Sequence, residues 1–406
     1  MRKDKLVLFF LLPINVLAQD YKVSSIPDSL IKDADAVKRY EELRVIIKDI
    51  DKAVVYHKYA YTILNEAGEE FAYYSNSYDK FQALSDISGT MYDANGKSIK
   101  SIKKKDIADV AVNNGESMIT DARKKRFAFY NKSYPYTVEF EDETTLNGIF
   151  SFPYWMPIDD EKLSVQKSIF IVEAPHDYQL RYKEFNCQFK PVINTTDKKS
   201  TYLWQIANQK AISFEVYQPD WHEVTPTVFI APTDFLFGGY KGNMSSWNNF
   251  GKFIYQLYKG RDELPADIKQ EVHKISDNLK TRAEKVDALY NYMQQNTRYV
   301  GIQLGIGGWQ PFEAKYVAEK KYGDCKALSN YMVALLKEAG IKANWVNIES
   351  GDGRKGLFAD FPCNQFNHVI VCAPDPTDTI WLECTSETVS PGYMGDFTGN
   401  RTALLI

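Results

Sequence analysis

Hydrophobic and polar positions along this chain fall into two regimes. From about Ala53 to Asp234, apolar, β-branched and aromatic residues come in short runs broken by turn residues. Residues 54–64 form such a run and end at an Ala67-Gly68 turn. Residues 89–102 hold Asn95-Gly96 between two runs, which is a hairpin signal. Further runs at 135–141, 168–173, 202–207, 211–216 and 227–231 follow at irregular spacing. Many short strands with turn signals predict an antiparallel β-sandwich. From Ser245 the period lengthens. Trp247, Phe250, Ile254 and Leu257 share one helical face behind a serine cap. Residues 264–280, with Pro265 at the start, and 282–296 are further helical patterns. A fourth runs over 324–339, where Ala327, Leu328, Tyr331, Met332, Leu335, Leu336 and Ala339 recur at spacings of three and four before Gly340 stops them. The expectation is an α+β protein with a β-rich domain over 19–240, a bridging helix over 241–262 and an α+β core over 263–406.

The first eighteen residues have a different character. Arg2, Lys3 and Lys5 precede an apolar run, Leu6 to Leu12, and Val16-Leu17-Ala18 offers a small-residue cleavage site. Pro13 interrupts the run, which is too short to span a bilayer. Residues 1–18 are therefore expected to be a signal peptide, with a periplasmic or extracellular mature chain that holds no integral membrane segment. The apolar end, Ala403-Leu404-Leu405-Ile406, reads as a strand start. Either it closes the core sheet or the chain is a piece of a longer protein.

Composition excludes several classes. The net charge of −4 is spread along the chain, whereas nucleic acid requires a basic face. The one basic run, 100–105, is expected on a solvated strand or loop. Five cysteines, an odd count, leave at least one free thiol in an oxidising compartment. No Cys-x-x-Cys, His-x-x-x-His or carboxylate-rich calcium loop is present, so neither a metal nor a cofactor is expected.

The chemistry concentrates at Gly323-Asp324-Cys325. Asp324 is a natural N-cap for the 324–339 helix, and Cys325 then sits among unpaired backbone N–H groups at the positive end of the helix dipole, where a thiolate is favoured. A lone cysteine is more often a small buried hydrophobe. Here, however, His368 lies on a strand-like stretch, 367–371, and Glu383 on another, 380–384. A turn centred between Asp375 and Pro376 places His368 opposite Glu383 in a simple antiparallel register, close enough for the carboxylate to orient the imidazole. Cysteine, histidine and carboxylate are the parts of an activated thiol nucleophile.

Lys321-Tyr322-Gly323-Asp324-Cys325-Lys326-Ala327-Leu328-Ser329, with Phe366-Asn367-His368-Val369 and Trp381-Leu382-Glu383-Cys384-Thr385, resembles the transglutaminase-like superfamily of papain-type Cys-His-Asp proteins. Residues 284–290 and 296–300 look like its preceding helix and lead-in strand. The resemblance covers roughly 265–400 and implies a papain-like fold, with Cys325 as nucleophile, His368 as base and Glu383 as third member. The family usually has Asp at the third position. The N-terminal half is similar to an uncharacterised bacterial domain that precedes such cores in exported proteins.

Thioester chemistry also needs oxyanion donors. The Cys325 backbone N–H is one, and Gln303, Trp309 and Gln310 in the glycine-rich segment 301–310 are side-chain candidates. That segment is not a nucleotide loop, since no Gly-Lys-Ser/Thr follows. Two readings result. One is an exported cysteine hydrolase or acyltransferase acting on peptide, protein or cell-wall amides. The other is a module that has lost turnover and binds a protein or glycan partner.

Overall fold

The computed structural model describes residues 20–112, 119–351, 357–376 and 378–406. The expected signal peptide, 1–18, lies outside the described residues. The first half is built on an eight-stranded sheet. Its order is Val192–Thr195, Lys199–Gln209, Leu163–Pro175, Ala36–Asp49, Lys52–Ile63, Tyr136–Asn147, Gln82–Tyr92 and Ser98–Ser101. Neighbours are antiparallel, except that Ala36–Asp49 runs parallel to Leu163–Pro175. A three-stranded sheet, Tyr73–Tyr78, Arg123–Ala128 and Ala108–Ala111, completes a sandwich-like domain and encloses Tyr74, Phe127, Phe129, Tyr136 and Phe140.

Gly96 makes the expected hairpin turn at φ +79°, a conformation open to glycine at little cost. Two details differ from expectation. Ala36–Asp49 buries Leu43, Val45 and Ile47 by strict alternation, but its charged residues hide that pattern in the sequence. Residues 211–216 are not a strand: Phe214 is exposed and its N–H donates to the Glu161 carboxylate instead of to a neighbouring strand. The basic run 100–105 is largely exposed.

In the second half, helix Trp247–Tyr258 is capped by Ser246, whose Oγ accepts the Asn249 N–H at 3.2 Å. Ala266–Ser276 and Arg282–Asn296 follow, the latter with a reciprocal Thr281/Glu284 capping box. Both pack on Cys325–Glu338, which is buried along its length against a four-stranded sheet. The sheet order is Ile380–Leu382, His368–Ala373, Asn344–Ile348 and Leu404–Leu405, so the apolar end does join the core sheet.

One apolar core runs through both halves. It holds Val45, Phe170 and Trp204 of the large sheet together with Leu328, Tyr331 and Val371 of the core. At the seam, the Phe150 ring lies 4.9 Å from Phe237, 5.5 Å from Phe253 and 4.6 Å from Trp309. Among the described residues, no helix is long and apolar enough to cross a membrane.

Candidate active site

Gly323 is required by close packing. A Cβ there would lie 2.7 Å from that of Ala327, so only glycine lets the entering chain lie against the first helical turn. The entry is also fixed by a short parallel pairing of Arg298–Tyr299 with Tyr322–Gly323. Asp324 caps the helix as expected: Oδ1 accepts the Ala327 N–H at 3.0 Å. Its Oδ2 receives the buried Lys326 ammonium at 2.5 Å. Burial pushes the Lys326 amine down, but Asp324 and Cys325 outweigh it and the amine ends above its usual value.

His368 opens its strand opposite Ile348. Its Nε2 lies 3.1 and 3.0 Å from the two Glu383 oxygens. The Cys325 thiol stands close enough to the same imidazole to raise its pKa, and with Nε2 engaged, Nδ1 is the nitrogen left to serve the sulfur. Burial works to lower the His368 pKa, but the thiol and the Glu383 carboxylate prevail and raise it to about 10. Burial likewise pushes the Glu383 carboxyl up, but His368 and Thr385 hold it below its ordinary value. The structure thus brings Cys325, His368 and Glu383 together, at 5, 8 and 6 % exposure. Phe397 packs edge-on over the imidazole with ring centroids 5.3 Å apart.

The hairpin register needs correction. Val371 opposes Leu382, Cys372 opposes Trp381 and Ala373 opposes Ile380, two residues away from direct His368–Glu383 opposition. The turn is centred one residue later than its Pro-Asp-Pro sequence suggests. A shift of two preserves the face, so Glu383 reaches the imidazole diagonally, across the about 7–8 Å typical of such neighbours. The longer glutamate side chain suits that reach. Asp375 stands elsewhere, 3.7 Å from Arg282.

Three positioning groups were not singled out from the sequence. Thr385 donates to Glu383 Oε1 through its N–H at 3.1 Å and its hydroxyl at 2.6 Å. The Tyr290 hydroxyl donates to the Glu383 carbonyl at 2.6 Å. Asn367 locks the approach to His368: its Oδ1 accepts the Ser350 N–H at 2.6 Å and its Nδ2 donates to the Ser350 carbonyl at 3.0 Å. Their only sequence signal is adjacency, with Asn directly before the histidine and Thr two residues after the carboxylate.

The oxyanion candidates lie along the seam. Ile302–Gln303 pairs in parallel with Ile119–Thr120 of the first domain. Trp309 packs edge-on against Phe150, and Gln310 Nε2 donates to the Tyr240 hydroxyl at 2.9 Å. The five cysteines are all free thiols. One group of metal-ligand types does converge outside this site: donor atoms of Asp220, His222 and Glu223 lie within 4.8 Å of one another, with both carboxylates exposed.

The first domain and the bridging helix together grip the loop that delivers His368. Arg181 donates to the Pro362 carbonyl at 2.7 Å, Lys183 pairs with Asp360 at 2.5 Å, and Trp247 Nε1 donates to the Ala359 carbonyl at 2.6 Å.

No curated protein matches the sequence. Among solved structures, a candidate protease from Parabacteroides distasonis ATCC 8503 shares the fold, with TM-score 0.65 and 16 % identity over 88 % of this chain and 68 % of that one. A candidate cysteine protease from Cytophaga hutchinsonii aligns over 88 % of this chain and 89 % of that one, at 10 % identity and a TM-score of only 0.25. Residues 51–213 match a domain of unknown function, DUF3857, and residues 269–383 match the transglutaminase-like superfamily. The chain therefore carries a transglutaminase-like core preceded by a DUF3857 domain, on the fold of the Parabacteroides distasonis structure.

Proposed function

We propose that this protein is an exported cysteine-nucleophile enzyme that acts on peptide or protein amide bonds through a thioester. The observation that carries the reading is the continuous thiol–imidazole–carboxylate relay at a helix start. His368, kept protonated at neutral pH by its raised pKa, holds the proton of the Cys325 sulfur as an ion pair, and the sulfur attacks the amide carbonyl carbon. The tetrahedral adduct collapses as the C–N bond breaks, and the imidazolium gives its proton to the departing amine. Water or a second amine, deprotonated by His368, then releases the acyl group and regenerates the thiol. Glu383 holds the ring plane and balances the imidazolium charge. The Cys325 backbone N–H, with a donor from Gln303, Trp309 or Gln310, meets the oxyanion. Residues 1–18 direct export to a periplasm or the outside.

The burial of the triad under Phe397 favours a second reading, a transglutaminase-like module that binds a partner without turnover. A thiol-directed reagent separates the two. Burial pushes the Cys187 thiol up to about 11 and the Cys363 thiol up to about 12, so both react slowly at neutral pH. Iodoacetamide labelling at pH 7 that is fast and confined to Cys325 supports the enzyme; slow labelling of all thiols alike supports the binding module.

A further inference from the structure

A cavity of about 770 Å³ opens where the two domains meet. Phe152, Tyr154, Trp221 and Phe229 of the first domain line one side, and Phe358 and Asn364 of the His368 loop line the other. Its walls are built features. Phe358 packs against Phe229 at 5.2 Å between ring centroids. Gln365 pins the loop on itself, accepting the Phe358 N–H at 2.7 Å and donating to the Phe361 carbonyl at 2.9 Å. One feature of this wall lacks a protein partner among the described residues: the Asn364 Oδ1 is buried with none of them donating to it. Buried acceptors are nearly always satisfied, so an orphan on a cavity wall marks a place for a ligand donor.

Cys325, His368 and Glu383 do not line the cavity, but two of its wall residues lie close to them along the chain. Glu349 on its wall follows Ile348, which opposes His368. Asn364 precedes His368 by four residues, a span of at most about 14 Å of extended chain.

Resting on the amide-cleaving reading, we propose that this cavity is the substrate side-chain pocket. It takes an aromatic or bulky apolar residue of a peptide, within about four residues of the scissile bond, while a peptide N–H bonds Asn364 Oδ1. The first domain thereby supplies half of the specificity surface. A volume in this range and a mainly apolar, aromatic wall with a few polar groups, here Asn364 and Gln365 on one side and Asp220, His222 and Glu223 at the other, are the features of a side-chain or ligand pocket.

The test uses the full chain carrying Cys325→Ala, so that binding is read without turnover. Blocked octapeptides of alternating alanine and serine, with a single phenylalanine moved through each position, are titrated by calorimetry against the phenylalanine-free parent. One or two registers should bind roughly ten- to a hundredfold tighter, the value of burying one such side chain. Tyr154→Ala, at a half-exposed position, and Trp221→Ala should each erode that preference with unchanged melting temperature. Asn364→Leu should weaken every favoured register severalfold. Absence of discrimination in all registers, or discrimination that survives both aromatic substitutions, overturns the pocket. Because binding is measured on an inactive variant, either outcome is independent of whether the wild type turns substrate over.

Discussion

Two histidine–glutamate pairs sit on sheets in this chain, one in each half, and they are not equivalent. In the first domain, His57 Nε2 lies 3.2 Å from Glu41. The same carboxylate receives the Ser168 hydroxyl at 2.5 Å, which in turn accepts the Trp155 indole N–H at 2.8 Å, and Lys38 lies 3.5 Å away. Burial pushes the Glu41 carboxyl up, but Lys38, His57 and Ser168 bring it down to about 2. Lys38 also reaches Asp159 at 3.3 Å. In the core, Glu383 is met by His368 and Thr385, and the nearby Lys326 is bound to Asp324. The first carboxylate already faces a fixed cation, whereas the second is balanced by an imidazole whose other side meets a thiol. A His–carboxylate pair is thus a common way to settle a polar belt inside a sheet. It gains chemistry where the counter-charge is the histidine itself and a nucleophile completes the line.

The comparison breaks most decisively at the thiol. Cys325→Ala should abolish amide turnover, a loss on the order of 10⁴-fold or more for a residue that acts as part of a unit, while the circular dichroism spectrum and fold persist. Full-rate turnover by this variant would end the enzyme reading. Next, His368→Gln should lower kcat by about 10²–10⁴-fold. His57→Gln should leave kcat within about twofold and cost only about 0.5–1.5 kcal/mol of stability, the value of a typical hydrogen bond at a half-exposed side chain. Equal kinetic losses in the two variants would erase the distinction.

Stability should show the opposite asymmetry. Glu41→Gln strands Lys38 with a single partner and should cost about 3–5 kcal/mol in urea denaturation, as for other broken buried ion pairs. Glu383→Gln should lower the urea midpoint less than Glu41→Gln, because the imidazole can shed its proton where the Lys38 ammonium cannot, and should lower activity on the order of 10²-fold, less than loss of the nucleophile or base because a thiol needs less assistance than a hydroxyl. Glu383→Asp should fall between wild type and Gln, since the diagonal register leaves aspartate one methylene short. Wild-type activity in Glu383→Gln across the pH range would reduce the site to a Cys/His dyad.

The smallest expected effect is a pH slope. The folded pKa of His368 is raised from 6.5 to about 10. Its contribution to stability is therefore fully present below about 6.5 and lost as pH rises through 10. Glu41, depressed from 4.5 to about 2, contributes above 4.5 and loses that contribution as pH falls towards 2. Melting temperatures from pH 6.5 to 10 should decline more in wild type than in His368→Gln.

Legibility in the sequence follows the range of the interaction that sets each feature. The Cys325 helix could be read because its cap, glycine and apolar period are all local. The triad members could be read from three short motifs, but their pairing depended on where a proline-rich turn places its centre, and that is decided by the strands it joins. Tyr290 and Asn367 act through one or two hydrogen bonds to backbone, which leave no period. The strand Ala36–Asp49 was hidden for a different reason. Lys38, Arg39 and Glu41 are buried there in a polar belt, so the usual rule that charge means surface fails. The junction cavity was illegible because its two walls are more than a hundred residues apart in the chain.

The aromatic seam has a consequence for inheritance. Phe150, Phe235 and Phe237 on one side meet Phe250, Phe253 and Trp309 on the other within a single apolar core. Neither half presents a finished surface to a stranger, so recombination that exchanged one half would have to bring a matching set of rings. The two sequence families should then travel as a fused pair, with paired changes in ring size across these six positions recording their shared descent.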